Sequence, residues 1–150
     1  MRVVCRVLLL LSLLSVNGQA GNEPLPELRA RADAAHGGER ASLSIEYARR
    51  ELEEANTLYT VGDVEKAEAA IQEVLRYSGQ GAAAASASGK RLKQTEIELR
   101  KIQHRMRDIG ASLSIDDRPP LEKGVQQLEQ LRADLLAKMF GDKAEPKDKS

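Results

Sequence analysis

Aromatic residues and cysteine are scarce in this chain, and each scarcity narrows the range of possible architectures. The 150 residues include three Tyr, one Phe and no Trp, and the single Cys is Cys5, close to the N-terminus. From residue 21 onward there is no Cys, so packing rather than disulfides must hold that part of the chain together. Long β-branched runs and alternating apolar–polar patterns are also missing, which argues against a β-sheet.

An excess of one charge is missing as well. The chain has 23 Lys and Arg against 23 Asp and Glu, and residues 1–20 carry two of the Arg and no acid. Residues 21–150 therefore hold 21 basic and 23 acidic residues. This balance predicts neither a nucleic-acid partner nor binding to an anionic membrane.

The first twenty residues have the three-part pattern of a secretory signal peptide. Arg2 and Arg6 precede an apolar run over residues 7–16, and the small residues Gly18 and Ala20 follow it. The run of about ten apolar residues is half of the roughly 20 that a membrane-spanning helix needs. We expect cleavage after Ala20 and an exported product, periplasmic or secreted, that has no membrane segment once residues 1–20 are removed.

Helix-favouring residues dominate the rest of the chain. Ala, Leu, Glu, Lys, Arg and Gln are the commonest types after residue 20, and they lose little freedom in a helix. We therefore predict an all-α fold, a small helical bundle over residues 41–140. In the preceding segment, 21–40, a short helix at 26–35 ends at Gly37 and Gly38, and whether it packs on the bundle stays open.

Two helices joined by a tight turn are predicted over residues 41–60 and 63–78. Apolar residues recur at three- and four-residue spacing in both, Gly62 ends the first helix, and Asp63 can cap the second. The apolar stripe of the first helix is Ile45, Ala48, Leu52, Ala55 and Tyr59, and that of the second is Val64, Ala67, Ile71, Val74 and Leu75.

Residues 48–79 resemble one tetratricopeptide repeat, a 34-residue helix–turn–helix. The spacing of Ala55, Gly62, Ala67, Ile71 and Val74 matches that family, whereas Glu51, Glu54 and Gly79 depart from its usual Trp, Leu and Pro. The resemblance implies a close helix crossing at small residues and a role in protein–protein contacts. Because a single repeat cannot bury its faces alone, the hairpin must pack on another part of the chain.

Residues 79–89 allow two interpretations. Their Gly, Ala and Ser composition is typical of a flexible linker. Alternatively they begin a long helix over 81–112, because a heptad of apolar residues, Leu92, Leu99, Met106 and Leu113, extrapolates back to Ala85. We favour the long helix, with the acidic hairpin covering the end of its seam from Ala85 to Thr95.

A last helix is predicted over residues 119–140, since Pro119 and Pro120 suit a first turn and Gly141 a C-terminus. The connection of about six residues makes it an antiparallel neighbour of the long helix. The charged tail, 141–150, is predicted to be disordered. Charge supports the packing, because residues 41–78 carry an excess of acids and residues 90–108 an excess of bases.

Residue patterns that would indicate catalysis or metal binding are missing from the sequence. His36 and His104 lie far apart, and no His-x3-His spacing occurs. Asp116 and Asp117 are adjacent in a Pro-rich loop, where carboxylates more often cap a helix than share a substrate. We therefore predict no catalytic residue, no cofactor and no metal.

The function favoured by these patterns is that of an exported, non-catalytic helical protein that serves as a protein–protein interaction module. We place the binding surface in a groove beside Tyr47, Leu58 and Tyr59, with another protein or a second copy as partner. A structural coiled coil that oligomerises through the long helix is the alternative. A hydrolase or metal-dependent enzyme is a third reading, and the sequence favours it least.

Overall fold

The computed structural model describes residues 23–141, which form five α-helices and one short 3-10 turn. The helices are α1 (Leu25–Ala34), α2 (Gly37–Thr60), α3 (Val64–Ser88), α4 (Leu92–Ser112) and α5 (Pro119–Gly141), with the 3-10 turn at Ile115–Asp117. The predicted all-α helical bundle is thus confirmed. The predicted signal peptide at 1–20 and nearly all of the predicted tail lie outside the described residues. Within residues 23–141, no helix has the length and apolar character that crossing a bilayer requires.

The turn between α2 and α3 forms as the sequence predicts. Gly62 has φ +81°, the left-handed conformation that costs glycine least. The N–H of Asp63 donates to the Leu58 carbonyl at 2.9 Å and the N–H of Gly62 donates to the Tyr59 carbonyl at 3.1 Å, which is the Schellman arrangement. The Asp63 carboxylate then accepts from the backbone N–H of Lys66 and caps α3.

Helix α3 continues well past its predicted end. The sequence predicts a helix that ends at residue 78 and another that begins at Gly81, but Gly79 and Gly81 both lie inside α3, which ends at Ser88. Gly81 is buried against α2, where a Cβ would come within 2.8 Å of the Ile45 side chain and 3.2 Å of the Ala41 carbonyl oxygen. This glycine lets two helices approach closely instead of ending one.

The chain reverses between α3 and α4 at residues 89–91. Gly89 and Arg91 both have φ +65°, and this left-handed pair separates the two helices. The helix predicted over 81–112 therefore begins only at Leu92, and Ala85 belongs to α3 instead of extending the seam of α4. Residues 79–88 are helical, so the linker interpretation is also corrected.

Helix α1 packs on the bundle, which the sequence left open. Leu28 and Ala32 lie one turn apart and are almost completely buried. Helix α2 begins at Gly37, four residues before its predicted start, because Gly37 and Gly38 open this helix and do not merely end the preceding one.

Helices α4 and α5 are antiparallel neighbours, as predicted. Gln103 donates to the Val125 carbonyl, and a Cβ on Gly110 would touch Leu121. The apolar seam of α4 is buried within the chain, and so is the facing stripe of α5: Leu99, Ile102, Met106 and Ile109 with Leu121, Leu128 and Leu135. Arg105 joins α4 to α2 through both oxygens of Glu53, each at 2.8 Å, in line with the predicted charge complementarity.

Candidate functional site

The structure places the predicted binding residues in or near the core. Tyr47 is 4% exposed and Tyr59 is 8% exposed, while Leu58 is partly buried. Tyr47 is covered because its ring packs at 55° to that of Tyr77, with the centroids 4.3 Å apart. The aromatic rings that the sequence assigned to a binding surface therefore stabilise the fold.

The hydroxyl of Tyr77 is the centre of a polar cluster that joins α1 to the hairpin. It accepts hydrogen bonds from Arg29 Nε at 3.1 Å and Arg76 Nη2 at 3.0 Å, and donates to Asp33 at 2.9 Å. The guanidinium of Arg29 also lies 3.3 Å from the Glu73 carboxylate. Arg29 and Asp33 belong to α1 and Tyr77 to α3, so these hydrogen bonds form a structural link between the two helices.

Burial changes the acidity of two tyrosines, Tyr47 and Tyr59. It raises the pKa of Tyr47 to about 12, with the carboxylates of Glu51 and Glu73 adding to the effect. Burial also raises the pKa of Tyr59 to about 12, helped by the Glu68 carboxylate. The Tyr59 hydroxyl has no hydrogen-bond partner among residues 23–141. Burial is the largest cause of both pKa shifts, and the nearby carboxylates add to it.

The histidines and the paired aspartates do not form a site in the structure. His36 and His104 are both exposed. Asp116 and Asp117 lie in the 3-10 turn, where Ser114 donates to Asp117 at 2.7 Å. Within residues 23–141, no three His, Cys, Asp or Glu side chains are grouped so that they could hold a metal ion.

An open groove runs between α4 and α5 and is the candidate functional site. One face of α4 lines it, with Lys93, Ile97 and Arg100 towards the start of the helix and Arg107 and Ala111 towards its end. Two cavities lie along this face, one of about 660 Å³ near the start of α4 and one of about 440 Å³ near its end. We call this surface the α4–α5 groove.

The larger cavity has an apolar floor. Ile97, Leu136 and Met139 line it and are partly buried, and Phe140 beside them is 63% exposed. Contiguous apolar patches on a protein surface commonly mark binding sites, and Phe140 extends the partly buried apolar lining of this cavity to the surface. Lys93 and Arg100 border the same cavity and add positive charge.

A buried carboxylate, that of Glu96, lines the larger cavity. Glu96 accepts from Arg100 at 2.7 and 3.0 Å and from Arg132 at 2.9 and 3.0 Å. Burial acts to raise the pKa of Glu96, but the hydrogen bonds from both guanidinium groups outweigh it and hold the pKa below its ordinary value. Arg132 also donates to the Gln103 side chain at 2.6 Å, which fixes the middle of the groove.

The groove was not predicted, although the sequence carries a signal for it. The seven-residue spacing of Lys93, Arg100 and Arg107 is visible in the sequence, but a charged stripe most often marks a solvated helix face. The groove emerges only when the antiparallel register brings Leu136 and Phe140 beside Ile97. Comparison with protein-family models, with curated proteins and with solved structures found no match.

Proposed function

We propose that this chain is an exported, non-catalytic protein-interaction module whose partner docks in the α4–α5 groove. The observation that carries the proposal is the exposed apolar floor of this groove in a bundle that has already buried the apolar seam of α4. Phe140 remains 63% exposed while Leu99 is fully buried. Apolar surface that folding leaves open is available to a partner.

The size and lining of the groove support a protein partner. Its two cavities together extend over about three heptads of α4, a length that one helical or extended peptide segment of a partner can occupy. Apolar floor residues flanked by charged ones match the apolar centre and polar rim of protein interfaces. The coiled-coil alternative receives less support, because it requires the seam at Leu99 and Met106 to face a second copy and both side chains are fully buried within one chain.

Binding is tested with a matched pair of surface variants. Proteins that bind immobilised residues 21–150 are recovered from the extracellular or periplasmic fraction, identified, purified separately and titrated by calorimetry. Phe140→Ser should raise the dissociation constant by about tenfold or more, because the interface loses one apolar anchor. Val61→Ser is the control, because Val61 is 70% exposed at the α2–α3 turn, away from the groove.

Two outcomes would contradict docking in the α4–α5 groove. A partner whose affinity falls with Val61→Ser and not with Phe140→Ser would place docking at the α2–α3 turn. If the chain alone forms a stable dimer that Leu99→Asp converts to folded monomers, the structural coiled coil would replace this proposal.

Export is tested independently of binding. The N-terminal pattern of Arg2, Arg6 and the apolar run predicts a mature protein that begins at Gly21. N-terminal sequencing of the protein recovered outside the cytoplasm should show this residue first. A cytoplasmic product that still begins at Met1 would contradict the export half of the proposal and leave the binding half intact.

A further inference from the structure

Positive charge is distributed along the α4–α5 groove in a regular pattern. Lys93, Arg100 and Arg107 follow one another at seven-residue intervals, so their side chains form a straight row along α4 of about 21 Å. Around the two cavities, four Lys or Arg side chains outnumber the two carboxylates of Glu96 and Glu122. The groove is therefore cationic although the chain as a whole is neutral.

The fold leaves most of this charge without a partner. Among residues 23–141, neither Lys93 nor Arg107 makes an ion pair or a side-chain hydrogen bond, and both are exposed. Glu96 is shared between Arg100 and Arg132, so one carboxylate faces two guanidinium groups and a net positive charge remains. An incoming carboxylate would meet cations at the start, the middle and the end of the row.

The row of cations lies beside the apolar floor in the way that charged flanks lie beside an apolar seam in a coiled coil. In that geometry, apolar residues of one helix fill the seam and its flanking charges face opposite charges on the neighbouring helix. Ala111 is small and exposed, which leaves room for a close approach near the end of α4. The larger cavity at the other end suits a bulkier apolar side chain.

We propose that the α4–α5 groove binds one amphipathic helix of a partner protein, with apolar side chains on the floor near Phe140 and acidic side chains facing Lys93, Arg100 and Arg107. This inference rests on the proposed function and names the chemistry of its partner. The helix completes a third layer on α4 and α5, so its recognition is of the helix-in-groove kind. Its acidic flank selects it over helices with the same apolar stripe and neutral or basic flanks.

Three synthetic helical peptides test the charge requirement. Each has about 21 residues and the same Leu stripe, and they differ only in having Glu, Gln or Lys on the flank. Fluorescence anisotropy with residues 21–150 should give the tightest binding for the Glu peptide, by about tenfold over the Gln peptide, and the weakest for the Lys peptide. Added salt should reduce the preference, because these charges are exposed.

A charge exchange locates the binding in the groove. Arg107→Glu should weaken binding of the Glu peptide and strengthen binding of the Lys peptide, because the variant reverses one charge in the row. Lys123→Glu makes the same change at an exposed position of α5 that lines neither cavity, and it should leave all three affinities unchanged. Circular dichroism confirms that both variants keep the helical fold.

The outcomes separate this inference from the proposed function. Equal binding of the three peptides would overturn the acidic partner and leave a groove that docks proteins by apolar contact. Failure of all three peptides would overturn the helical partner, while the Phe140→Ser titration above would still decide whether a protein docks there. A dimer of the chain alone that Arg107→Glu dissociates would assign the groove to a second copy.

Discussion

Arg132 of α5 donates two hydrogen bonds to the same oxygen of Glu96 on α4, from Nε at 3.0 Å and Nη2 at 2.9 Å. The Glu96 side chain is only 4% exposed and that of Arg132 is 21% exposed, so water screens this pair less than an ordinary surface ion pair. The contact fixes the register of α4 against α5 beside the larger cavity. The shape of the proposed binding surface therefore depends on it.

Neutralising Glu96 should destabilise the bundle in a pH-dependent way. Glu96→Gln should lower the free energy of unfolding by about 1–3 kcal/mol at neutral pH, because both guanidinium groups lose their charged acceptor. The folded-state pKa of Glu96 lies below its ordinary 4.5, so the carboxylate stabilises above that pH and its contribution is lost as pH falls through the folded-state value. Urea unfolding of both proteins should therefore converge in acid.

The control for that prediction is Glu98→Gln on the same helix. Glu98 accepts from Lys101, which is 64% exposed, and this pair should contribute at most about 1 kcal/mol. A loss for Glu98→Gln as large as that for Glu96→Gln would show that the contact between α4 and α5 has no special role in stability.

Two glycines of α3 should respond in opposite directions to the same substitution. Gly79→Ala should stabilise by about 0.5–1 kcal/mol, because the new Cβ would meet no packing neighbour within 4 Å beyond the adjacent backbone of α3, and Ala favours a helix. Gly81→Ala should destabilise by about 1–2 kcal/mol, because the new Cβ would overlap the buried Ile45 side chain. Thermal unfolding measures both, and stabilisation by both would mean that α2 and α3 do not approach closely at this level.

The same two glycines show how far the sequence determines the fold here. Helical periodicity, the Gly62 turn and the Pro119 start predict the helices themselves, because each depends on local chemistry. The meaning of Gly81 depends on Ile45, 36 residues away, and no local pattern distinguishes a glycine that packs from one that ends a helix. The Ala and Ser residues around it have too little apolar periodicity to decide which helix they join.

The candidate site was harder to predict for a related reason. The sequence predicts a surface position for Tyr47, because residues 21–40 have only Leu25 and Leu28 as large apolar residues and show little sign that α1 packs on the hairpin. Once α1 is in place, Tyr77 is enclosed and Tyr47 packs against it. The groove beside Phe140 likewise depends on the register of two helices, which individual helix patterns do not specify.

Removing one hydroxyl group from either of two buried tyrosines should give different results. Tyr77→Phe should cost about 1–2 kcal/mol, because Arg29, Arg76 and Asp33 lose a shared partner. Tyr59→Phe should be neutral or stabilising, since its hydroxyl is buried with no partner among the described residues. Hydrogen exchange should show the Tyr77→Phe effect mainly as lost protection in α1, and equal losses for the two variants would contradict the link between α1 and Tyr77.

Alkaline pH should reveal the burial of Tyr47 and Tyr59. Their pKa values of about 12 lie above the ordinary 10.0, so the neutral rings stabilise the fold below pH 10.0 and this contribution is lost as pH rises through 12. Near-ultraviolet titration should show their absorbance change only near pH 12 or on unfolding. Phe substitution at each position assigns the signals, and ionisation near pH 10.0 in the folded protein would place the rings in solvent.

Adding bulk at Ala67 should distinguish a close helix crossing from looser packing in the hairpin. Ala67 is fully buried, as is Ala55 on α2, and the tetratricopeptide-like spacing predicts that the two face each other. Ala67→Leu should overpack the crossing and lower the free energy of unfolding by about 1–3 kcal/mol. Ala69→Leu is the matched control on the exposed side of α3 and should be nearly neutral. If both changes lower the thermal midpoint equally, the helices do not cross at Ala67 and the resemblance to the repeat does not extend to its packing.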